Sequence, residues 1–307
     1  MTLPRFSIVI PHRDDRTGLC RTLEALTRLN PTPSFEVIVA DNRSTGGVDD
    51  VRAIARRFDG LKVTVVDAPV VGAGPARNAG ARVAQGDLLA FLDCDCLPES
   101  DWLAKAERLL AQPGSIVGGP VLVSVAPGAG DRINPAQLFD LLFGFDVERS
   151  FRLDGLLVTA NLLTSKETFR HVGDFHTGVS EDRDWCIRAQ RMGYAPAFSS
   201  DLSIRHIALD DTRRLRARWL RIARETHVFH RLHGAGRSSG LRYCLTVTVS
   251  PLAHGWRLLG PKAAGVPALV RWRTLQLLIG IRAERGAIGV GLLLNDWLRA
   301  KKVRGGR

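Results

Sequence analysis

Residues 86–95 read Gly86-Asp-Leu-Leu-Ala-Phe-Leu-Asp93-Cys-Asp95: five apolar residues in a row, closed by two aspartates one residue apart. A short apolar run between turn-forming residues fits a strand buried on both faces, as strands of a parallel sheet are. Two carboxylates at such a strand end can share a hard divalent cation, Mg2+ or Mn2+, with substrate phosphates completing the shell. The alternative is a pair of solvated turn aspartates. The place itself is suggestive, because ligands of open α/β sheets bind outside the carboxyl ends of the strands.

Working outward from this run, residues 6–92 alternate between β-branched stretches and helical patterns. Strands are expected over 7–10, 35–40, 61–66 and 88–92, and helices over 48–58 and 74–84. An earlier helix is expected along Leu19, Leu23, Leu26 and Leu29, whose spacing puts them on one face. This alternation predicts an α/β fold with a mainly parallel sheet flanked by helices. Past Asp95 the patterns predict a helix over 99–110, one strand over 115–125, a Pro/Gly-rich loop over 126–135 and a helix over 136–148. A strand-like run at 156–160 and a helix over 181–192 follow.

The 307 residues carry 43 Lys+Arg against 31 Asp+Glu, a net of +12, with 45% hydrophobic and 24% charged residues. Such a composition excludes a mainly disordered chain. The charge is uneven: residues 1–202 sum to −4 and residues 203–307 to +16. Two regions are therefore expected, an ordinary globular domain over 1–208, which the resemblance given below makes the catalytic domain, and a basic, largely helical region over 209–307, broken near 234–236, Pro251, Gly260-Pro261 and Pro267. Five cysteines without framework spacing fit a reducing compartment better than a disulfide scaffold. Cys94 and Cys96 lack the second ligand pair that a structural zinc site needs. No signal-peptide pattern precedes Phe6, and no apolar run approaches the ~18–20 residues of a membrane span, so a cytoplasmic location without transmembrane helices is expected.

Other motifs gather around the strand ends. Asp41-Asn-Arg-Ser44 offers a carboxylate for a base or ribose, or a helix cap. Gly72-Ala-Gly74-Pro-Ala-Arg77 lacks the third glycine of a dinucleotide fingerprint but suits a turn into a helix N-terminus that takes a diphosphate. Glu181-Asp182-Arg-Asp184-Trp185 places three carboxylates at a helix start, where the helix dipole favours them and where one can serve as general base. His206 would add a metal contact if the chain returned to the Asp95 turn.

In this order, Ile8-Val-Ile-Pro11, Val37-Ile-Val-Ala-Asp41-Asn-Arg-Ser44, Gly74-Pro-Ala-Arg77-Asn-Ala-Gly80, Gly86 through Asp95, Trp102-Leu, Glu181-Asp182 and Gly193-Tyr194 resemble the family 2 glycosyltransferases of the GT-A fold. The resemblance spans residues 6–207. It implies a nucleotide-diphosphate sugar donor, a divalent cation (Mn2+ or Mg2+) and inversion at the anomeric carbon. It also implies that Pro11, Arg13, Asp41, Arg77 and Asp93 face the nucleotide and that Asp95, Asp93 and His206 hold the metal. Asp182 matches the catalytic base, with Glu181 its neighbour, while Asn161 and Trp185 are candidates for the acceptor side. His12 and Arg13 stand where the family often has a small residue and Asn. The Gln-x-x-Arg-Trp signature of processive synthases is missing, which favours transfer of a single sugar.

Six arginines between 213 and 224, and Leu269, Trp272, Leu275, Leu278 and Ile279 beside Arg271, Arg273 and Arg282, make amphipathic basic helices. These suit an anionic membrane surface, with a lipid-linked or cell-surface glycan as acceptor, or packing on the core with solvated arginines. Nucleic acid is disfavoured, since no binding motif for it is present. The rival functions are a non-catalytic nucleotide-sugar or membrane-binding module and a nucleotidyltransferase, which would carry a Gly-rich basic loop after the first strand.

Overall fold

Val, Ile and Phe at successive positions favour pleated backbone, and the first such run, Phe6–His12, forms β1 at the centre of a sheet. The computed structural model describes residues 3–30, 32–126, 133–234 and 236–305. After β1 come α1 (Arg16–Leu26), β2 (Phe35–Asp41), α2 (Gly47–Ala55), β3 (Val63–Asp67), α3 (Ala73–Val83) and β4 (Leu88–Leu92). β1 pairs in parallel with both β2 and β4, and β2 with β3. The expected parallel core is therefore present. Leu19, Leu23 and Leu26 of α1 are buried on one sheet face with Ile8, Ile10 and Val37. On the other face α3 comes so close to β1 that a Cβ on Gly80 would stand 2.5 Å from Val9.

Beyond β4 the chain continues through β5 (Cys96–Pro98), α4 (Trp102–Leu109), β6 (Ile116–Gly118), β7 (Val121–Ser124), α5 (Pro135–Phe143), α6 (Val147–Asp154), β8 (Asn161–Ser165), α7 (Lys166–Val172), α8 (Glu181–Arg191), β9 (Pro196–Phe198) and β10 (Ile204–Ile207). The main sheet has the order β3-β2-β1-β4-β8-β6-β9, with β8 antiparallel to β4 and β6. A small sheet, β5-β10-β7, lies apart from it.

Three expectations change here. The single strand over 115–125 is two strands in different sheets, because Gly119-Pro120 breaks the ladder and a Cβ on Gly119 would stand 2.1 Å from the Leu202 carbonyl oxygen. The strand-like run 156–160 is not a strand; Leu156 and Leu157 are packed in the core and pairing begins at Asn161. The helix over 136–148 is two helices parted at Gly144. Within the loop expected at 126–135, residues 127–132 lie outside the described residues.

The chain forms two compact units. The first comprises Met1–Ser124, Phe145–Thr177 and Glu181–Ile207, the second Val125–Gly144, Gly178–Ser180 and Ala208–Arg307. The second thus takes in α5 besides the C-terminal stretch, a grouping that a single cut after residue 208 does not describe. Its further elements are α9 (Thr212–Leu232), α10 (Arg237–His254), two short 3-10 turns and α11 (Ala268–Gly305). α10 runs through Pro251, where a break was expected. Phe139 of α5, Trp219 of α9 and Leu278 and Ile281 of α11 build its core. Arg218 donates to the fully buried Asp140, whose other oxygen accepts from the Leu209 N–H at 3.1 Å.

One buried polar side chain ties several elements of the first unit together. The Asn161 side-chain oxygen accepts from the Trp102 indole N–H at 3.0 Å, and its amide donates to the Leu202 carbonyl at 2.6 Å. Asn161→Ala leaves both partners buried and unsatisfied, at ~1–3 kcal/mol each. A stability loss of roughly 2–5 kcal/mol is expected in urea unfolding, and a loss under ~0.5 kcal/mol, typical of an exposed position, would contradict the strut.

Candidate active site

β1 is flanked by β2 on one side and β4 on the other, so the chain leaves the carboxyl ends of these three strands in different directions and opens a crevice there. His12 ends β1, Asp41 ends β2 and is its register partner, and Asp93 follows β4. The geometry of the site follows from these three ends.

At the β1/β2 end, His12 and Asp41 are both buried. The Asp41 carboxylate accepts from the Ser44 hydroxyl at 2.5 Å and lies 3.4 Å from His12 Nδ1. His12 Nε2 is buried without a hydrogen-bond partner. Just beyond each strand a residue takes left-handed backbone, Asp14 at φ 54° and Arg43 at φ 62°, a conformation that is uncommon outside glycine. Asp14 is held there from both sides: its N–H donates to Ser44 Oγ at 3.0 Å and its carboxylate accepts from the Thr45 N–H at 2.7 Å. That backbone bond also lowers the Asp14 pKa. Pro11 is half-buried, and Arg13 is exposed beside Asp14.

Asn42, which sequence reasoning did not single out, organises the approach to α3. Its amide donates to the Ala68 and Val70 carbonyls at 2.8 and 2.7 Å, and its side-chain oxygen accepts from the Gly72 N–H at 2.8 Å. Gly72 at φ 135° then turns the chain into the helix. A Cβ on Gly74 would stand 3.1 Å from the His176 carbonyl oxygen, 3.2 Å from the Phe175 Cβ and 3.4 Å from the Glu181 Cβ, so a side chain here would crowd the segment that leads into α8.

Arg77 does not project as the free anion hook that the sequence suggested. Its side chain is buried, donating through Nη2 to Asp93 at 2.5 Å and through Nη1 to Glu181 at 2.7 Å, while Nε has no hydrogen-bond partner. Burial works against its charge, but the Asp93 and Glu181 carboxylates more than offset this and raise its pKa. The ion bridge fixes the start of α8 against the end of β4, with Asp182 adjacent.

Asp182 is partly buried and accepts from the Arg183 N–H at 2.7 Å. Burial, then the neighbouring Glu181 charge, pushes its carboxyl up to about 7. A carboxylate poised near neutrality is suited to taking a proton from a hydroxyl.

The metal expectation is met only in part. Asp95 and His206 do come together, with His206 Nε2 3.1 Å from Asp95 Oδ2 and the ring resting on Phe145. Asp93, however, is turned to Arg77, and among the described residues no group of three His, Cys, Asp or Glu side chains converges. The mixed oxygen and nitrogen pair fits a hard or borderline cation that takes its remaining ligands from substrate phosphates. Burial, with Asp95 close by, pushes the Cys94 and Cys96 thiols well up, which does not favour thiolate ligation.

Both acceptor candidates are corrected. Trp185 has no exposed surface: it packs on Phe169 and Phe175 and donates its indole N–H to the Gly173 carbonyl at 2.9 Å. Asn161 is the buried strut described above. Helix periodicity puts Trp185 on the inner face of α8, the same face as Cys186 and Ala189.

Holding Asp182 in this place carries a sign that can be checked. Its folded pKa, about 7, lies above the ordinary 3.8. The folded state thus binds the extra proton between these values, and stability falls as pH rises through that window, by at most ~4 kcal/mol. Asp182→Asn is expected to raise Tm at pH 8 and to leave it nearly unchanged at pH 4. Equal Tm values at pH 8 would show that the carboxylate bears no such cost.

Residues 7–157 match the model of Glycosyl transferase family 2. Glycosyltransferase AglE of Haloferax volcanii is 30% identical over 206 residues, covering 66% of this chain and 66% of that protein. The amylovoran biosynthesis glycosyltransferase AmsB of Erwinia amylovora is 27% identical over 206 residues, covering 62% and 65%. The chain spans between about a third and two thirds of the curated relatives it matches first. Among solved structures, the mannosyltransferase PcManGT from Pyrobaculum calidifontis, in complex with GDP-Man and Mn2+, superposes with a TM-score of 0.56 at 19% identity, covering 99% of this chain and 81% of that one. That likeness is one of fold, GT-A in both. With its parallel core, its strand-end carboxylates and its matched region, the chain belongs to glycosyltransferase family 2.

Proposed function

We propose that the protein transfers one sugar from a nucleotide-diphosphate sugar to a hydroxyl acceptor, with inversion at the anomeric carbon. The observation that carries this reading is the Asp93–Arg77–Glu181 bridge, which sets Asp182, with its carboxyl near neutrality, beside the strand ends. PcManGT binds GDP-Man with Mn2+, and a TarS structure of Staphylococcus aureus, at a TM-score of 0.52, holds UDP-GlcNAc; both support a nucleotide-sugar donor.

In this mechanism the nucleotide lies against Pro11, Arg13 and the His12–Asp41 pair. Asp41 fixes the His12 ring through Nδ1 at the end of β1. Asp95 and His206 would hold a divalent cation, Mn2+ or Mg2+, whose chemistry is to offset charge on the departing diphosphate. Arg77 keeps Asp93 and Glu181 in place. Asp182 takes the acceptor hydroxyl proton as the new bond forms, on the face opposite the leaving group.

The acceptor in this reading is a lipid-linked or cell-surface glycan, reached at an anionic membrane surface on the cytoplasmic side. No helix among the described residues is long and apolar enough to cross a membrane. Between Glu225 and Glu284 there is no acidic residue and there are eight Lys and Arg. On α10, Leu241, Leu245, Val249 and Leu252 are exposed at spacings of four, four and three, and exposed Trp256 continues the ridge. An apolar ridge in a basic field suits shallow insertion between anionic headgroups.

Asp182→Asn is expected to lower transfer ~10²–10⁴-fold with donor affinity retained. In the unaltered enzyme kcat is expected to rise with pH through about 7 as one group loses its proton. A variant with full activity removes Asp182 from the mechanism. In vesicle co-sedimentation, phosphatidylcholine with phosphatidylglycerol is expected to bind the protein far better than phosphatidylcholine alone. Leu245→Ser with Leu252→Ser should weaken binding at least roughly tenfold, since a buried Leu gains ~1.5–3 kcal/mol. Binding indifferent to both changes rejects the membrane assignment.

A further inference from the structure

Asn78 follows Arg77 on α3 and is buried. Its side-chain oxygen accepts from the Phe175 N–H and its amide donates to the Phe175 carbonyl, both at 2.9 Å. One side chain thus satisfies both backbone groups of one residue, as the facing residue of a neighbouring strand would. Phe175 belongs to the irregular stretch between α7 and α8, and its ring packs on Phe91 of β4, Phe169 of α7 and Trp185 of α8.

Two side chains of α8 hold the same stretch. Arg188 donates to the Val172 and Asp174 carbonyls at 2.6 and 2.7 Å, and the Trp185 indole donates to the Gly173 carbonyl at 2.9 Å. The successive carbonyls from Val172 to Phe175 therefore all accept from side chains, of α8 for the first three and of α3 for the last. The stretch is fastened to α8, and Asn78 is its buried hydrogen-bonded link to α3. The other link, Arg82 to Asp174, is an exposed ion pair and holds little in water. Asn78 also lies two residues before Gly80, where α3 is pressed against Val9 of β1, so its own position is set by the centre of the sheet.

Arg77 and Asn78 thus hold the approach to α8 at two points, Glu181 and Phe175. A single ion bridge fixes a point but leaves rotation about it, and a second attachment removes that rotation. We propose that Asn78 is a positioning residue for Asp182: it fastens the stretch before α8 to α3, so that the first turn of α8 cannot pivot about the Arg77–Glu181 bridge. This rests on the reading of Asp182 as the group that takes the acceptor proton.

Asn78→Ala is expected to lower kcat roughly 10–100-fold with donor KM within about twofold of the unaltered value, because a displaced base slows the chemical step while the nucleotide side lies at the ends of β1 and β2. The rise of kcat with pH, expected through about 7, should move at least roughly half a unit lower as the first turn of α8 takes up water and burial no longer holds the Asp182 carboxyl up. Asn78→Gln keeps the amide on a longer arm and should fall between Asn78→Ala and the unaltered enzyme in both readouts. Ser7→Ala removes two buried hydrogen bonds, to Glu36 and from the Gly86 N–H, at the opposite end of β1; it should lower Tm yet leave kcat and its pH profile unchanged. An unchanged profile in Asn78→Ala, or the same displacement in Ser7→Ala, overturns the proposal. If Asn78→Ala does not fold, an unchanged profile in Asn78→Gln overturns it instead. Full activity of Asp182→Asn removes the base and this proposal with it, whereas an inactive Asp182→Asn beside an unaffected Asn78→Ala removes this proposal alone.

Discussion

The first unit's site depends on one buried guanidinium. Arg77 stands on a helix that packs on the middle of the sheet, and the carboxylates it joins come from elements far apart in sequence, Asp93 after β4 and Glu181 at the start of α8. A paired charge of this kind adds little net stability compared with apolar packing, but removal of one partner strands the others at a cost of ~3–5 kcal/mol. The bridge therefore acts mainly as a locating device. It converts the rigidity of the central strands into the position of Asp182, and Gly74 and Asn42 prepare the helix that carries it.

How much of this could be read from the chain alone follows from the range of the interactions concerned. β1 through β4 are written locally, in β-branched runs and in leucines at helical spacing. The edge of the sheet is not: β5, β6 and β9 have three residues each, too few for a pattern, and they exist because neighbours offer them a ladder. Local reading also placed a strand at 156–160, since apolar residues that fill a core look the same as residues that pair.

The site shows the same division. The aspartates at the strand ends are legible because their positions follow from strand length. Arg77's partners are not, because nothing in its own neighbourhood names Glu181, 104 residues away. Asn161 opens β8 and Trp185 lies one turn into α8, yet both side chains turn inward, and only the packing of α4, α7 and the Leu202 segment reveals it. Charge division in the sequence pointed to the second unit as the basic part, but that Arg282 and Arg285 share the face of one ring, Trp219, emerges only once α9 and α11 meet.

The central place of β1 also bears on how the chain is made. Phe6 pairs with Phe35 on one side and with Leu88 on the other, so the second edge of the strand waits for some fifty more residues after the first is covered. At ~5–20 residues per second that interval lasts roughly 3–10 s. Throughout it an edge carrying Ile8, Val9 and Ile10 lies open to pairing with other chains. Slow synthesis lengthens this exposure, which ends only when β4 arrives to cover the second edge of β1.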